Sequence, residues 1–268
     1  MLVLLTFRWD WSRTTCQLCR DCLPLGAASA CCHRLAFAVS HDLGDVVVAE
    51  PQVLAEERAG DRAPRRAKDW WHQYSGDIPE WFQCYVGLEA ATSAMVEYNA
   101  ELVTGLLQTE PYVRAVMIAA LRTDSDDMER QIAVRMERQK RLTAADAPTL
   151  WVVLNEGALH RQVGGPTVMR EQLGHIADVA TLPNVTIQVL PFTAGPHPAM
   201  LGSFTLMQFP DPADLDVVYV EAETGALYLD KPEDVRRYSL ILDHLRAQAL
   251  GPAESRALIE QMAGGTSG

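Results

Sequence analysis

LWVVLNEGALHRQVGGPTVMREQLGHIADVATLPNVTIQVL, residues 150–190, changes its hydrophobic period twice, and that change decides the fold class. Leu150 to Leu154 is a short apolar run of the kind a buried strand uses. Asn155-Glu156-Gly157 ends it. Gly164-Gly165-Pro166-Thr167 then opens a helix that carries Met169, Leu173, Ile176 and Ala180 on one face. Pro183-Asn184 stops that helix. Val185, Ile187 and Val189 alternate with Thr186 and Gln188, the period of a strand.

Towards the C-terminus, a loop from Pro191 to Gly202 holds three prolines and two glycines. Phe204 to Phe209 and Val217 to Glu221 read as strands, and Thr224-Gly225 turns the chain into a last strand, Ala226 to Leu229. Asp230, with Pro232 and Glu233 in the first turn, caps a helix reaching Leu250. Gly251-Pro252 ends it, and a final helix runs to Met262.

Towards the N-terminus, Asp126 and Glu129 form a capping-box pattern for a helix over residues 127–142. Thr109 caps a helix with Pro111 in its first turn, running to Leu121. Gly105-Leu106-Leu107-Gln108 is a break. Leu88, Ala91, Met95, Tyr98 and Leu102 recur at helical spacing, which predicts a helix over residues 87–101. The expected class is therefore α+β (mixed α/β): N-terminal helices, then a mixed sheet of about five strands flanked by helices.

The chain has 268 residues and a formal charge of −12. The charge is uneven. Residues 1–66 hold eight basic and eight acidic side chains, so the whole deficit lies beyond them. Five of the six cysteines (Cys16, Cys19, Cys22, Cys31 and Cys32) fall in the same early stretch. This predicts an irregular N-terminal segment, 1–67, a main domain, 68–263, and a flexible tail, 264–268. Cys16-x-x-Cys19-x-x-Cys22 with Cys31-Cys32-His33 has ligand types that suit zinc, but the second group lacks a two-residue gap, and no metal or cofactor is expected. No apolar run approaches the ~18 residues that cross a bilayer, and the first residues lack a basic leader, so a cytoplasmic location without membrane contact is expected. So acidic a chain is a poor general binder of nucleic acid.

Phosphate-loop, dinucleotide-binding, nucleophile-elbow and His-Glu-x-x-His patterns are missing, which argues against an enzyme. The best dispersed set is Glu156, His197 and Glu221, at strand ends and in the Pro-rich loop. Two carboxylates and an imidazole suit a divalent metal or proton transfer. Alternatively, Glu156 caps a turn, His197 hydrogen-bonds within its loop, and the sheet floors a ligand pocket. Arg130, Arg135, Arg138, Lys140 and Arg141 on one helix read as a solvated, salt-bridged face rather than a phosphate-binding stripe.

Several blocks in order resemble a known family: Trp70-Trp71; Trp81-Phe82; Tyr85-x-x-Leu88-Glu89-x-Ala91; Gly105-Leu106-Leu107-Gln108-Thr109-Glu110-x-Tyr112; Arg135-x-x-Arg138-Gln139-x-x-Leu142; Leu154-Asn155-Glu156-x-x-Leu159; Val163-Gly164-Gly165; Val189-Leu190-Pro191-Phe192-x-x-Gly195-x-His197; Gly202-Ser203-Phe204; and Val218-Tyr219-Val220-Glu221. The chain from about Trp70 to Met262 thus resembles the effector half of actinobacterial Xre-type helix-turn-helix regulators, the domain of unknown function 5753. The resemblance implies an antitoxin-like transcriptional regulator, not an enzyme. Its partners would be a small protein encoded nearby, a second copy of the chain, and DNA only where an N-terminal helix-turn-helix is present. It adds Gln108 and Arg138 to Glu156, His197 and Glu221 as candidate ligand or partner residues. No helix-turn-helix pattern is legible in residues 1–67. The first ~50 residues therefore read as frame-shifted or wrongly started, since their local signals do not agree with one another. Translating the upstream DNA in all three frames checks this: a frame encoding a helix-turn-helix is the expected result.

Overall fold

Ala94–Asn99 is a strand, β1, and it lies at the centre of the sheet. The computed structural model describes residues 80–120, 125–222 and 225–265. These all belong to the unit Val48–Gly268. The cysteine-rich segment, the 1–67 boundary, the first aromatic residues from Trp70, and Thr224 lie outside the described residues, as does most of the tail.

The helix expected over residues 87–101 is instead a helix and a strand. Helix α1 covers Glu80–Ala91. The Thr92 backbone N–H and hydroxyl both donate to the Glu89 carbonyl, and the chain then turns into β1. Met95 and Tyr98 do sit at helical distance from Leu88, but they do not share a face. Met95 packs on one side of the sheet, Val96 and Tyr98 on the other. A strand buried on both faces has no clean alternation, which is why the helical count looked right.

The remaining elements follow in order: α2 Glu110–Ala119, α3 Ser125–Gln139, β2 Thr149–Asn155, α4 Glu156–His160, α5 Pro166–Val179, β3 Val185–Leu190, β4 Phe204–Gln208, β5 Val217–Ala222, β6 Gly225–Leu229, α6 Pro232–Gln248 and α7 Pro252–Gly265. The class is mixed α/β as expected, with six strands rather than about five. The sheet order is β3-β2-β1-β4-β5-β6. β1 and β2 pair in parallel, as do β2 and β3; the β1–β4, β4–β5 and β5–β6 pairs are antiparallel. The carboxyl ends of β1, β2, β3 and β5 therefore lie along one edge.

Two cores sandwich the sheet. On one face Met95, Leu150, Val152, Leu154, Val189 and Met207 pack against side chains of α1, α5 and α7. On the other, Val153, Leu206 and Val218 pack against Ile241, Leu242 and Leu245 of α6. Two helix starts differ from expectation. Thr109 precedes α2 without a side-chain cap bond, and Lys231, not Asp230, occupies the cap position of α6, also without one.

Gly164 and Gly165 both have positive φ, +68° and +88°. At Gly164 an added Cβ would stand 3.0 Å from Cβ of Ala115 on α2 and of Val168 on α5. A Gly164→Ala chain meets both the steric contact and the left-handed backbone, so it is expected to lose about 1–3 kcal/mol. Urea unfolding monitored by circular dichroism measures this; a loss within about 0.5 kcal/mol would show that α2 moves aside.

Candidate functional site

The segment between β1 and α2 has little regular structure, only a short 3-10 turn at Gly105–Leu107. Its backbone polar groups must find side-chain partners, because buried N–H and C=O groups are costly unpaired. Three glutamines supply them. Gln108 Nε2 donates to the Val103 carbonyl at 2.6 Å. Gln139 Nε2 donates to the carbonyls of Gly105 at 3.0 Å and Gln108 at 2.6 Å. Gln172, fully buried on α5, accepts from the Thr109 N–H at 2.7 Å and donates to the Leu107 carbonyl at 2.6 Å. The Tyr112 hydroxyl accepts from the Val103 N–H at 3.2 Å.

Helix α3 locks this segment to α1. Arg138 makes a two-pronged ion pair with Glu89, Nε to Oε1 at 2.9 Å and Nη2 to Oε2 at 2.6 Å. Both side chains are only 4% exposed, so the pair is a true interior one. The guanidinium also lies over the rings of Phe82 and Tyr85, at 5.1 and 5.2 Å from their centroids. Burial works against its charge, but the Glu89 carboxylate outweighs that and holds the proton above the ordinary arginine range. The basic residues on and just after α3 thus part company. Arg130 and Lys140 do pair with Asp127 and Glu137 in solvent, at 3.9 and 2.5 Å. Arg138, expected on the same solvated face, is interior instead, and Arg135 donates to Gln108 Oε1 at 2.6 Å.

These parts line a cleft of about 700 Å³. Its floor is the carboxyl end of β1 with the adjoining ends of β4 and β5; its walls come from α1, the 101–105 segment and α3. Sheet topology explains the position. The connection from β1 runs to β2 on one side, while β4 lies on the other, and a crevice opens where the two sides part. Gln108, Arg138 and Glu221 all line it.

Glu97 projects from β1 into this cleft and is 3% exposed. Asn99 Nδ2 donates to its Oε2 at 3.2 Å, while Oε1 is buried and has no hydrogen-bond partner. An orphaned polar atom of this kind costs about 1–3 kcal/mol. Desolvation raises the carboxyl pKa, with hydrogen bonds from Thr104 and Asn99 pulling the other way. The sign of its stability effect follows. Below the ordinary carboxylate range Glu97 is neutral in both folded and unfolded chains. As pH rises the unfolded chain releases the proton first, and stability falls until the folded carboxyl also ionises. Glu97→Gln removes that linkage. Its stability relative to wild type is therefore expected to improve as pH rises from the ordinary carboxylate range, read from paired urea titrations. An unchanged difference would mean the carboxyl is ordinarily ionised.

The family model "Domain of unknown function (DUF5753)" matches residues 82–261. The chain belongs to this DUF5753 family. No curated protein and no solved structure matches it.

Within the DUF5753 region the block from Gly105 to Tyr112 is the glutamine-held segment, and Arg135-x-x-Arg138-Gln139 is the helix face that grips it. Glu89, the partner of Arg138, was legible as part of a block. Glu97 and Gln172 were not: each is a single polar residue inside an otherwise apolar or helical pattern, and only their burial marks them.

The dispersed set Glu156, His197 and Glu221 does not converge into one site. Glu156 Oε2 accepts from the Phe192 N–H at 2.7 Å, and its Oε1 lies 3.2 Å from His160 Nε2. It fastens the start of the Pro-rich loop and lines a separate hollow under α5 and α7. His197 Nδ1 accepts from the Ala199 N–H at 3.3 Å, which leaves Nε2 to donate to the Tyr98 hydroxyl, also at 3.3 Å. Asn155 Nδ2 donates to that hydroxyl as well. Desolvation lowers the His197 pKa, in keeping with this neutral tautomer. Glu221 accepts from the Tyr219 hydroxyl at 3.1 Å. Burial, with the Glu221 carboxylate beside it, raises the Tyr219 pKa and keeps the phenol a donor. Tyr98 belongs to the core under α6 and Tyr219 to the core under α1, so the sheet separates His197 from Glu221. Among the described residues no group of three or more His, Cys, Asp or Glu side chains is arranged to hold a metal ion. No helix among the described residues is long and apolar enough to cross a membrane.

Proposed function

We propose that the chain is the effector part of an antitoxin-like transcriptional regulator of the Xre helix-turn-helix type, and that its DUF5753 region binds a small partner protein encoded nearby. The cleft over β1, β4 and β5 carries this reading. It is bordered by Gly105 and Gln108, walled in part by an interior ion pair, and lined by carboxylates that suit a basic partner better than DNA. Self-association into a dimer is part of the same reading, because such regulators read paired half-sites. Any direct DNA contact belongs to residues ahead of this region, and no catalytic role is assigned.

A second reading is favoured by one observation. The cleft volume of about 700 Å³ falls in the range of small-molecule sites, so a metabolite-sensing module is the alternative.

Fluorescence anisotropy of the 268-residue chain on DNA from its own upstream region, with a salt titration, tests the proposal. Because no helix-turn-helix is legible in residues 1–67, no sequence-selective DNA binding is expected from this chain, whereas the fluorescently labelled neighbour-encoded protein should bind it saturably. Failure of that protein to bind the chain would overturn it.

A further inference from the structure

The cleft contains a feature that a folded chain has reason to avoid: a buried carboxyl oxygen, Glu97 Oε1, that makes no hydrogen bond. The Thr104 hydroxyl acts on this carboxyl but makes no hydrogen bond to Oε1, and the other neighbouring donors are committed. Arg138 is spent on Glu89, Arg135 reaches Gln108, and the Tyr219 hydroxyl points to Glu221. Glu101, at the rim, pairs with Arg161. Across the sheet Glu97 stands opposite Thr205, and Thr205 opposite Tyr219, so Glu97 and Tyr219 share one row and one face. Glu221, two residues beyond Tyr219, lies on that same face one row nearer the open edge. The Tyr85 ring, 4.5 Å from that of Tyr219, closes the side next to α1.

We infer that the cleft is a cation site, in which Glu97 Oε1 at the floor and Glu221 nearer the mouth receive an ammonium or guanidinium group. The inference rests on reading the cleft as a binding site and names the chemistry of what enters it. The group is supplied either by a free organic amine or by a lysine or arginine of a partner protein; the recognition is the same. A cation supplies the missing donor to Oε1, and its charge favours the ionised carboxylate, so the Glu97 carboxyl releases its proton to solvent as the ligand binds. The other charged or titratable groups packed around Glu97 are Tyr85 and Glu89 on α1, Arg138 on α3, and Tyr219 on β5. Arg138 and Glu89 are mutually paired, and both phenols have raised pKa values, so a proton released on binding comes from Glu97.

Isothermal titration calorimetry of the full chain at low salt tests this with three probes: putrescine, agmatine, and a short blocked peptide of lysine and arginine. The expected result is saturable binding of at least one probe, with a heat that depends on the buffer's ionisation enthalpy. Affinity should fall about tenfold or more in Glu97→Gln and several-fold in Glu221→Gln, at an exposed position. Thermal unfolding of each variant checks that it is folded. Binding of the small amines alone identifies a free ligand, and binding of the peptide alone a protein-borne one; both support the site. No binding by any probe, or equal affinity in wild type and Glu221→Gln, overturns it. The regulator reading fails separately. If the neighbour-encoded protein binds but no cationic probe does, the cation site falls and the regulator stands. If the cations bind but the neighbour-encoded protein does not, the reverse holds.

Discussion

Replacing Arg138 with methionine is expected to cost the DUF5753 region about 3–5 kcal/mol, enough to unfold many domains of ordinary stability. The loss comes less from the missing attraction than from what remains. Glu89 would keep its charge in the interior with no counter-ion, and the rings of Phe82 and Tyr85 would lose the plate that lies over both. Glu89→Gln should cost a similar amount for the mirror-image reason. The double variant Glu89→Leu/Arg138→Met buries no charge at all, and is expected to be far more stable than the sum of the single losses predicts. A double-mutant cycle by urea unfolding reads this directly. Additive losses would mean that the two groups reach solvent in the folded chain. The cycle also separates stability from binding. If the double variant folds yet no longer binds partner or amine, the pair serves to shape the cleft wall.

The second large effect lies at Gln172. One side chain there holds two backbone groups of the 105–109 segment, the Thr109 N–H and the Leu107 carbonyl. Gln172→Leu keeps the volume roughly constant and removes both bonds, so the cost is that of stranding a backbone donor and acceptor, about 2–4 kcal/mol. Gln172→Glu restores the acceptor only, and is expected to fall between leucine and wild type below about pH 4, where the carboxyl is protonated and also donates. Chemical denaturation at two pH values measures it. A loss under about 1 kcal/mol for Gln172→Leu would mean that the segment relaxes and finds water.

Much of the fold was legible because residues 150–190 switch cleanly between periods, and their strand, helix and strand are where the pattern puts them. The error fell on β1, for a physical reason. A central strand is apolar on both faces, and Leu88, Ala91, Met95, Tyr98 and Leu102 happened to space as a helix face. The better clue was Thr92-Ser93, two poor interior helix residues, just before Met95-Val96. Missing β1 also hid the site, because Glu97 only becomes conspicuous once it is known to sit mid-sheet. In the same way, arginines three residues apart look like one solvated stripe. Whether Arg138 is interior depends on Glu89, which lies on another helix and has no local signature. Gln108, Arg138 and Glu221 were picked out from sequence and do line one cleft; Glu156 and His197 were picked out too, and lie elsewhere as loop fasteners.

The place of β1 in the sheet also bears on how the chain is made. β1 emerges early from the ribosome, yet its parallel partner begins at Thr149 and its antiparallel partner at Phe204. For most of synthesis it has at least one open edge. Its sequence, Ala-Met-Val-Glu-Tyr-Asn, carries only one charge, at Glu97, to discourage pairing with another chain. Sheet closure must await β4 to β6, which implies slow, late acquisition of the native state and a long interval of aggregation risk. In that interval the carboxylate that strains the finished sheet works in the chain's favour, as a gatekeeper against the wrong neighbour.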